Sequence, residues 1–392
     1  MTRRRWVLVG AFAFLIVYLL VARSTSHRFW RIDEGSVPLP VLEPALPGTA
    51  ASWDALQTAL KEQPDDCRQA RVREAVEESS DRDAWRPCAP SIDAVKAWLG
   101  THGGARIPRV PVHVSADELP RVRGPWTIGM ALLLRSRVAG PEGAGSDLAD
   151  ALELGVRLQH AGPALHATSV GANLEWRALK DLMGRLASSD LALLEAPFAQ
   201  LQRTTSLPSG LPVALVGECR AFADLYGDLS AAADDLAVPA GMMVFATMGL
   251  WSPQKTQALH TANCHDWLGW IAHAPADRGP PPSLPELSTT SPLGLLDNGV
   301  GRILLDAGRF EVDRLIPLFD SLQVGRALVF GAIAIRRAEE LGEIVESLPA
   351  DPWDGAPLEW DEASRTLRSR GVDEDGQPLV VTLGPQRGLS SP

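Results

Sequence analysis

The sequence predicts a mainly α-helical protein: an N-terminal transmembrane helix, a body of antiparallel helical hairpins or a bundle, and a small C-terminal β appendage. Three observations lead there. Residues Trp6 to Ala22 form an apolar run without charge or proline. Apolar residues then recur at three- and four-residue spacing between short Gly- and Pro-marked turns, the period of helix faces. After residue 357 the period drops to two, the mark of strands. The resulting organisation is an anchor and flank (1–32), a Pro-rich spacer (33–50), a helical hairpin domain (51–230), a second helical region with a Pro-rich loop at 274–292 (231–348), and a β tail (349–392).

As a helix, Trp6 to Ala22 would span roughly 25 Å, slightly less than a bilayer core. Arg5 and Arg23 can close the difference by snorkelling, and Trp6 and Tyr18 suit the interfaces. The best cleavage candidate, Leu20-Val21-Ala22, runs straight into Arg23, so a retained anchor is expected rather than a cleaved signal. Arginines lie on both sides of the run, so charge alone orients it only weakly, with the N-terminus inside.

The four cysteines, Cys67, Cys88, Cys219 and Cys264, strengthen that orientation. They are even in number, widely spaced and free of any C-x-x-C pair, as expected of two disulfides in an oxidising compartment. Three connectivities are open, Cys67–Cys88 with Cys219–Cys264 being the most local. The expected location is therefore a bacterial inner membrane crossed once, with a cytoplasmic N-terminus and a periplasmic or other extracytoplasmic body. Six of the 37 Lys and Arg, and none of the 48 acids, lie in the first 32 residues, which leaves the remainder at net −17. Such a body is unsuited to nucleic acid, whose phosphates require clustered cations.

In chain order, Asp33 to Gly48 is an extended, proline-stiffened spacer. Trp53, Leu56 and Leu60 mark one helix, residues 67–78 a charged second, and Ser91 to Gly100 a third facing inward through Val95, Trp98 and Leu99. Pro125 opens a helix through Leu134. Residues 140–145 read as a turn, and Ser146 and Asp147 open a helix that closes at Gly162. Pro163 begins a long helix to about Ala187, followed by one capped by Asp190 and one opened by Pro212. Ser252-Pro253 is an N-cap with a first-turn proline. Residues 323–346 form the longest helical stretch. Its apolar run Ala327 to Ile335 is too short to span a membrane and reads as a buried core helix. Leu358-Glu359-Trp360, Thr366-Leu367-Arg368 and Leu379 to Leu383 read as strands, with turns at Asp354-Gly355 and Asp375-Gly376.

The stretch Leu348-Pro349-Ala350-Asp351-Pro352-Trp353-Asp354-Gly355-Ala356-Pro357-Leu358-Glu359-Trp360 resembles the tail of pseudopilin-type bacterial envelope proteins of type II secretion. The layout as a whole is similar to large membrane-anchored, mainly helical envelope proteins of uncharacterised activity. The resemblance implies a helix followed by tight turns and a short sheet. The N-terminus lacks the prepilin Gly-Phe-Glu signature, so pilus assembly is not expected.

Candidate chemistry is sparse. His260 and Cys264, one helical turn apart, have a spacing that suits zinc, although a bridged Cys264 cannot ligate. Asp373, Asp375 and Gly376 match part of a calcium loop but fit an Asp-Gly hairpin turn better. Glu175 and Glu218 sit in apolar helices with arginines two residues on; together they would form an acid/base pair, and separately they would pair with arginine. No nucleophile elbow, zinc-protease helix or P-loop is present, and no cofactor is implied. The expectation is an anchored extracytoplasmic interaction or scaffold protein with bilayer contact through residues 6–22 and an envelope protein partner. Its alternative is an anchored envelope-polymer hydrolase using Glu175 and Glu218.

Overall fold

A computed structural model describes residues 38–41, 50–61, 64, 66–67, 69–78, 81–101, 122–139, 141–162, 164–187, 191–205, 207, 209–227, 252–282, 305, 312–345, 347–373 and 375–384. The anchor Trp6–Ala22, most of the spacer, the 228–251 join and residues 283–292 of the Pro-rich loop lie outside the described residues.

The body is mainly helical, with a three-stranded sheet at its C-terminal end. Its α-helices are α1 (Ala50–Leu60), α2 (Gln69–Glu78), α3 (Ala89–Thr101), α4 (Arg123–Val138), α5 (Pro141–Gln159), α6 (Leu165–Leu186), α7 (Glu195–Thr205), α8 (Leu211–Gly227), α9 (Pro253–Ile271) and α10 (Val312–Leu341). The strands β1 (Glu359–Asp361), β2 (Thr366–Val372) and β3 (Pro378–Thr382) pair antiparallel in that order, Trp360 opposite Leu367 and Leu367 opposite Val381.

Both local disulfides are formed. Cys67–Cys88 closes 21 residues and ties the approach to α2 to the start of α3. Cys219–Cys264 closes 45 residues and clamps α8 to α9. As the sequence predicts, the Ser252 hydroxyl accepts from Lys255 N–H and caps α9. Trp98 Nε1 donates to Ser52 O at 2.9 Å, fixing α3 on α1.

α4 is buried on nearly every side from Pro125 to Leu134, which makes it a central helix rather than an amphipathic one. α5 and α6 flank it, and one hydrophobic core runs without interruption from Trp53 to Leu383. The helices and the tail therefore share an interior. Among the described residues one helix is long and apolar enough to cross a membrane, Leu315–Leu341 within α10. Of its most apolar window, 83% is buried inside the protein, consistent with the core role read from Ala327 to Ile335.

One expectation needs correction. Residues 141–145 are the first turns of α5, not a turn: Pro141 suits a helix start, and at Gly145 a Cβ would lie 2.6 Å from Leu193 O. These residues serve close packing rather than chain reversal. The described part of the spacer touches the body, since Arg220 Nη2 on α8 donates to Pro40 O at 2.7 Å.

Candidate functional site

The site is built where three helices come unusually close. Gly155 on α5 faces Gly171 on α6: a Cβ on Gly155 would lie 2.8 Å from Glu175 N, and one on Gly171 would lie 2.5 Å from Gln159 N. Side chains there would hold the backbones apart. One turn beyond each glycine stand Gln159 and Glu175, which are thereby brought into hydrogen-bond contact. On α10, Gly325 takes the ring edge of Trp176, where a Cβ would stand 2.7 Å from Cζ3, and the next residue, Arg326, reaches Glu175.

The result is a buried polar node. Glu175 is fully inaccessible and 8% of Arg326 is exposed. Arg326 donates through Nε to Oε1 at 2.7 Å and through Nη2 to Oε2 at 2.8 Å, and Gln159 Nε2 donates to Oε2. A two-pronged guanidinium–carboxylate contact is the arrangement in which a buried pair best offsets its desolvation. His160, beside Gln159, is buried, and among the described residues its Nδ1 has no partner. Burial, followed by the positive charge of Arg326, pushes its pKa down to about 4, and Glu175 opposes the shift only in part. His160 is therefore neutral near pH 7.

Arg326 and Gln159, with Phe319, Leu322 and Phe330 of α10, form the floor of a cavity of about 820 Å³, walled by Leu207, Pro349 and Pro352 and edged by Gln202 and Gln323. Among the described residues Arg326 Nη1 and Gln159 Oε1 have no protein partner. The floor thus offers one donor and one acceptor with no net charge, beneath apolar walls. A largely apolar pocket with a few convergent polar groups is the usual form of a binding site.

The residues singled out from sequence fall elsewhere or have structural partners. Glu175 pairs with Arg326, not with Arg177, which reaches Asn173 and Glu77. Glu218 on α8 accepts from Leu165 N–H at 3.1 Å and so caps the N-terminus of α6; burial raises its pKa, and that hydrogen bond opposes the shift. Cys219, His260 and Cys264 bring their donor atoms within 4.8 Å of one another, yet the two sulfurs are bonded, so no thiolate is offered to a metal in this oxidised form. His260 Nε2 instead lies 2.9 Å from Cys219 O. Asp373 Oδ1 accepts from the N–H groups of Asp375 and Gln377, and Gly376 has φ +75°, the geometry of the Asp-Gly turn.

Sequence reasoning missed Gln159 and Arg326. The signal for Arg326 was present: it is the one basic residue between Arg314 and Arg336, in the middle of an apolar helix. A buried glutamate requires a buried cation, and this was the unexplained one. No family model, curated protein or solved structure matches the chain.

Proposed function

We propose that this chain is an interaction module of the bacterial envelope, anchored in the inner membrane through residues 6–22 with its N-terminus in the cytoplasm and its body outside. Two disulfides and the Arg-flanked apolar run support the location. The pseudopilin-like tail, Leu348 to Trp360, leads toward the same compartment. The observation that carries the binding role is the apolar-walled cavity over Arg326, beneath which the buried Glu175 carboxylate is already held by Arg326 and Gln159.

The alternative, an anchored hydrolase of envelope polymers, needs Glu175 and Glu218 free to exchange protons with a substrate. Glu175 is fully buried with both oxygens engaged, and Glu218 holds the end of α6, so we favour binding. The test has two arms. An alkaline phosphatase reporter fused near residue 48 is expected to be active, and a photo-cross-linker at Gln323 in intact cells is expected to capture a discrete partner. An inactive fusion would overturn the location, and cross-linking to no protein from any exposed face would overturn the binding role.

A further inference from the structure

We infer that the cavity over Arg326 is one end of a groove that takes an extended, apolar peptide segment of a partner protein, with an acidic group at the groove's far end. This rests on the interaction reading above. The 820 Å³ cavity and one of about 450 Å³ share Phe330 and Pro349, so they are neighbours along one face of α10. That face steps at three- and four-residue intervals from Phe319 to Arg337, a length of about 27 Å at the helical rise. Eight or so extended residues cover the same distance.

The lining chemistry selects the occupant. Among the described residues no carboxylate lines either cavity, and the polar groups at the Arg326 end include three glutamines, Gln159, Gln202 and Gln323. Gln202 and Gln323 each offer both a donor and an acceptor, the pair that a peptide unit presents in return, and Gln159 adds its Oε1 acceptor. An acyl chain would desolvate these amides without replacing their hydrogen bonds, which is costly. Arg326 is neutralised by Glu175, whereas Arg337 has no carboxylate partner among the described residues and lies 4.7 Å above the Phe198 ring. Among the described residues the far end thus offers a positive charge, suited to Asp, Glu or a terminal carboxylate.

The test is a positional-scanning library of N-acetylated nonapeptides read by fluorescence polarisation against the full chain. Selection for apolar side chains at alternating positions and for an acid at one end is expected. Ala327→Trp, which fills the groove, is expected to weaken the selected peptides tenfold or more. Arg337 is exposed, so Arg337→Glu should leave the fold intact and turn the terminal preference from acidic to basic. A library without selection, a terminal preference unchanged in Arg337→Glu, or saturation of the groove by dodecanoate with no peptide selected would each overturn the proposal. If partner cross-linking persisted from another face in any of these cases, the interaction reading would stand without the groove.

Discussion

Replacing Arg326 by Met tests the node directly, because it leaves Glu175 buried with only Gln159 for company. The two guanidinium–carboxylate hydrogen bonds, at 2.7 and 2.8 Å, place opposite charges about 4 Å apart, worth roughly 4 kcal/mol at an effective dielectric of 20. Removing one partner of a buried pair typically costs about 3–5 kcal/mol, since the other charge keeps its desolvation penalty. Arg326→Met is therefore expected to lose about that much, a fall in Tm on the order of 10 °C. The double variant Glu175→Met/Arg326→Met is expected to recover most of the loss, as apolar replacement of a whole pair is often neutral. Urea unfolding of the full chain with its disulfides intact measures both. A single variant within about 0.5 kcal/mol of the parent, or a double variant no more stable than the single, would refute the reasoning.

Three further outcomes follow from named groups. His160 and His260 are both buried and both held near a pKa of about 4, against 6.5 when exposed, so the unfolded chain binds more protons between those values. Stability is then full above pH 6.5 and falls as pH drops, by about 2 kcal/mol per histidine at pH 5; His160→Leu should flatten that slope in urea midpoints measured from pH 7 to pH 5. Loop-closure entropy gives about 3 kcal/mol for Cys67–Cys88 and about 4 for Cys219–Cys264, so Cys219→Ser/Cys264→Ser should unfold earlier in urea than Cys67→Ser/Cys88→Ser. Glu218→Ala removes the cap on α6 and should cost about 1 kcal/mol without altering selection by the groove, whereas loss of a hydrolytic activity in that variant would favour the enzyme reading.

The helices and strands were largely legible because their signals are local: stripes such as Leu174, Ala178 and Leu182, the Ser252-Pro253 cap, and the alternation through Val381. The disulfide pairing was legible as the most local of three choices. The site was half legible. Glu175 stood out as a charge in an apolar stripe, but its partner lies 151 positions away, and no local pattern reports a contact at that separation. The glycines misled for the same reason. Gly145 reads as a turn signal, whereas its role is to admit Leu193 O, a demand set by tertiary packing alone.

The C-terminal segment reads as an appendage by period, yet its packing makes it structural to the groove. Gly331 on α10 lets Leu367 of β2 approach, where a Cβ would meet its Cδ2 at 2.8 Å. Arg365 closes an ion pair with Glu339 on α10 at 2.6 Å. Asp351, 1% exposed, gathers the Ser369 hydroxyl and the N–H groups of Trp353 and Arg370, which locks the turns that follow Pro349. Pro349 belongs to both cavities, and Pro352 to the larger one. One wall of the groove therefore stands on the sheet and the other on α7 and the α7–α8 connection, with α10 as the floor. Undocking the tail would remove a wall rather than a decoration, so the tight turns of the Leu348 to Trp360 stretch shape the binding surface as well as completing the fold.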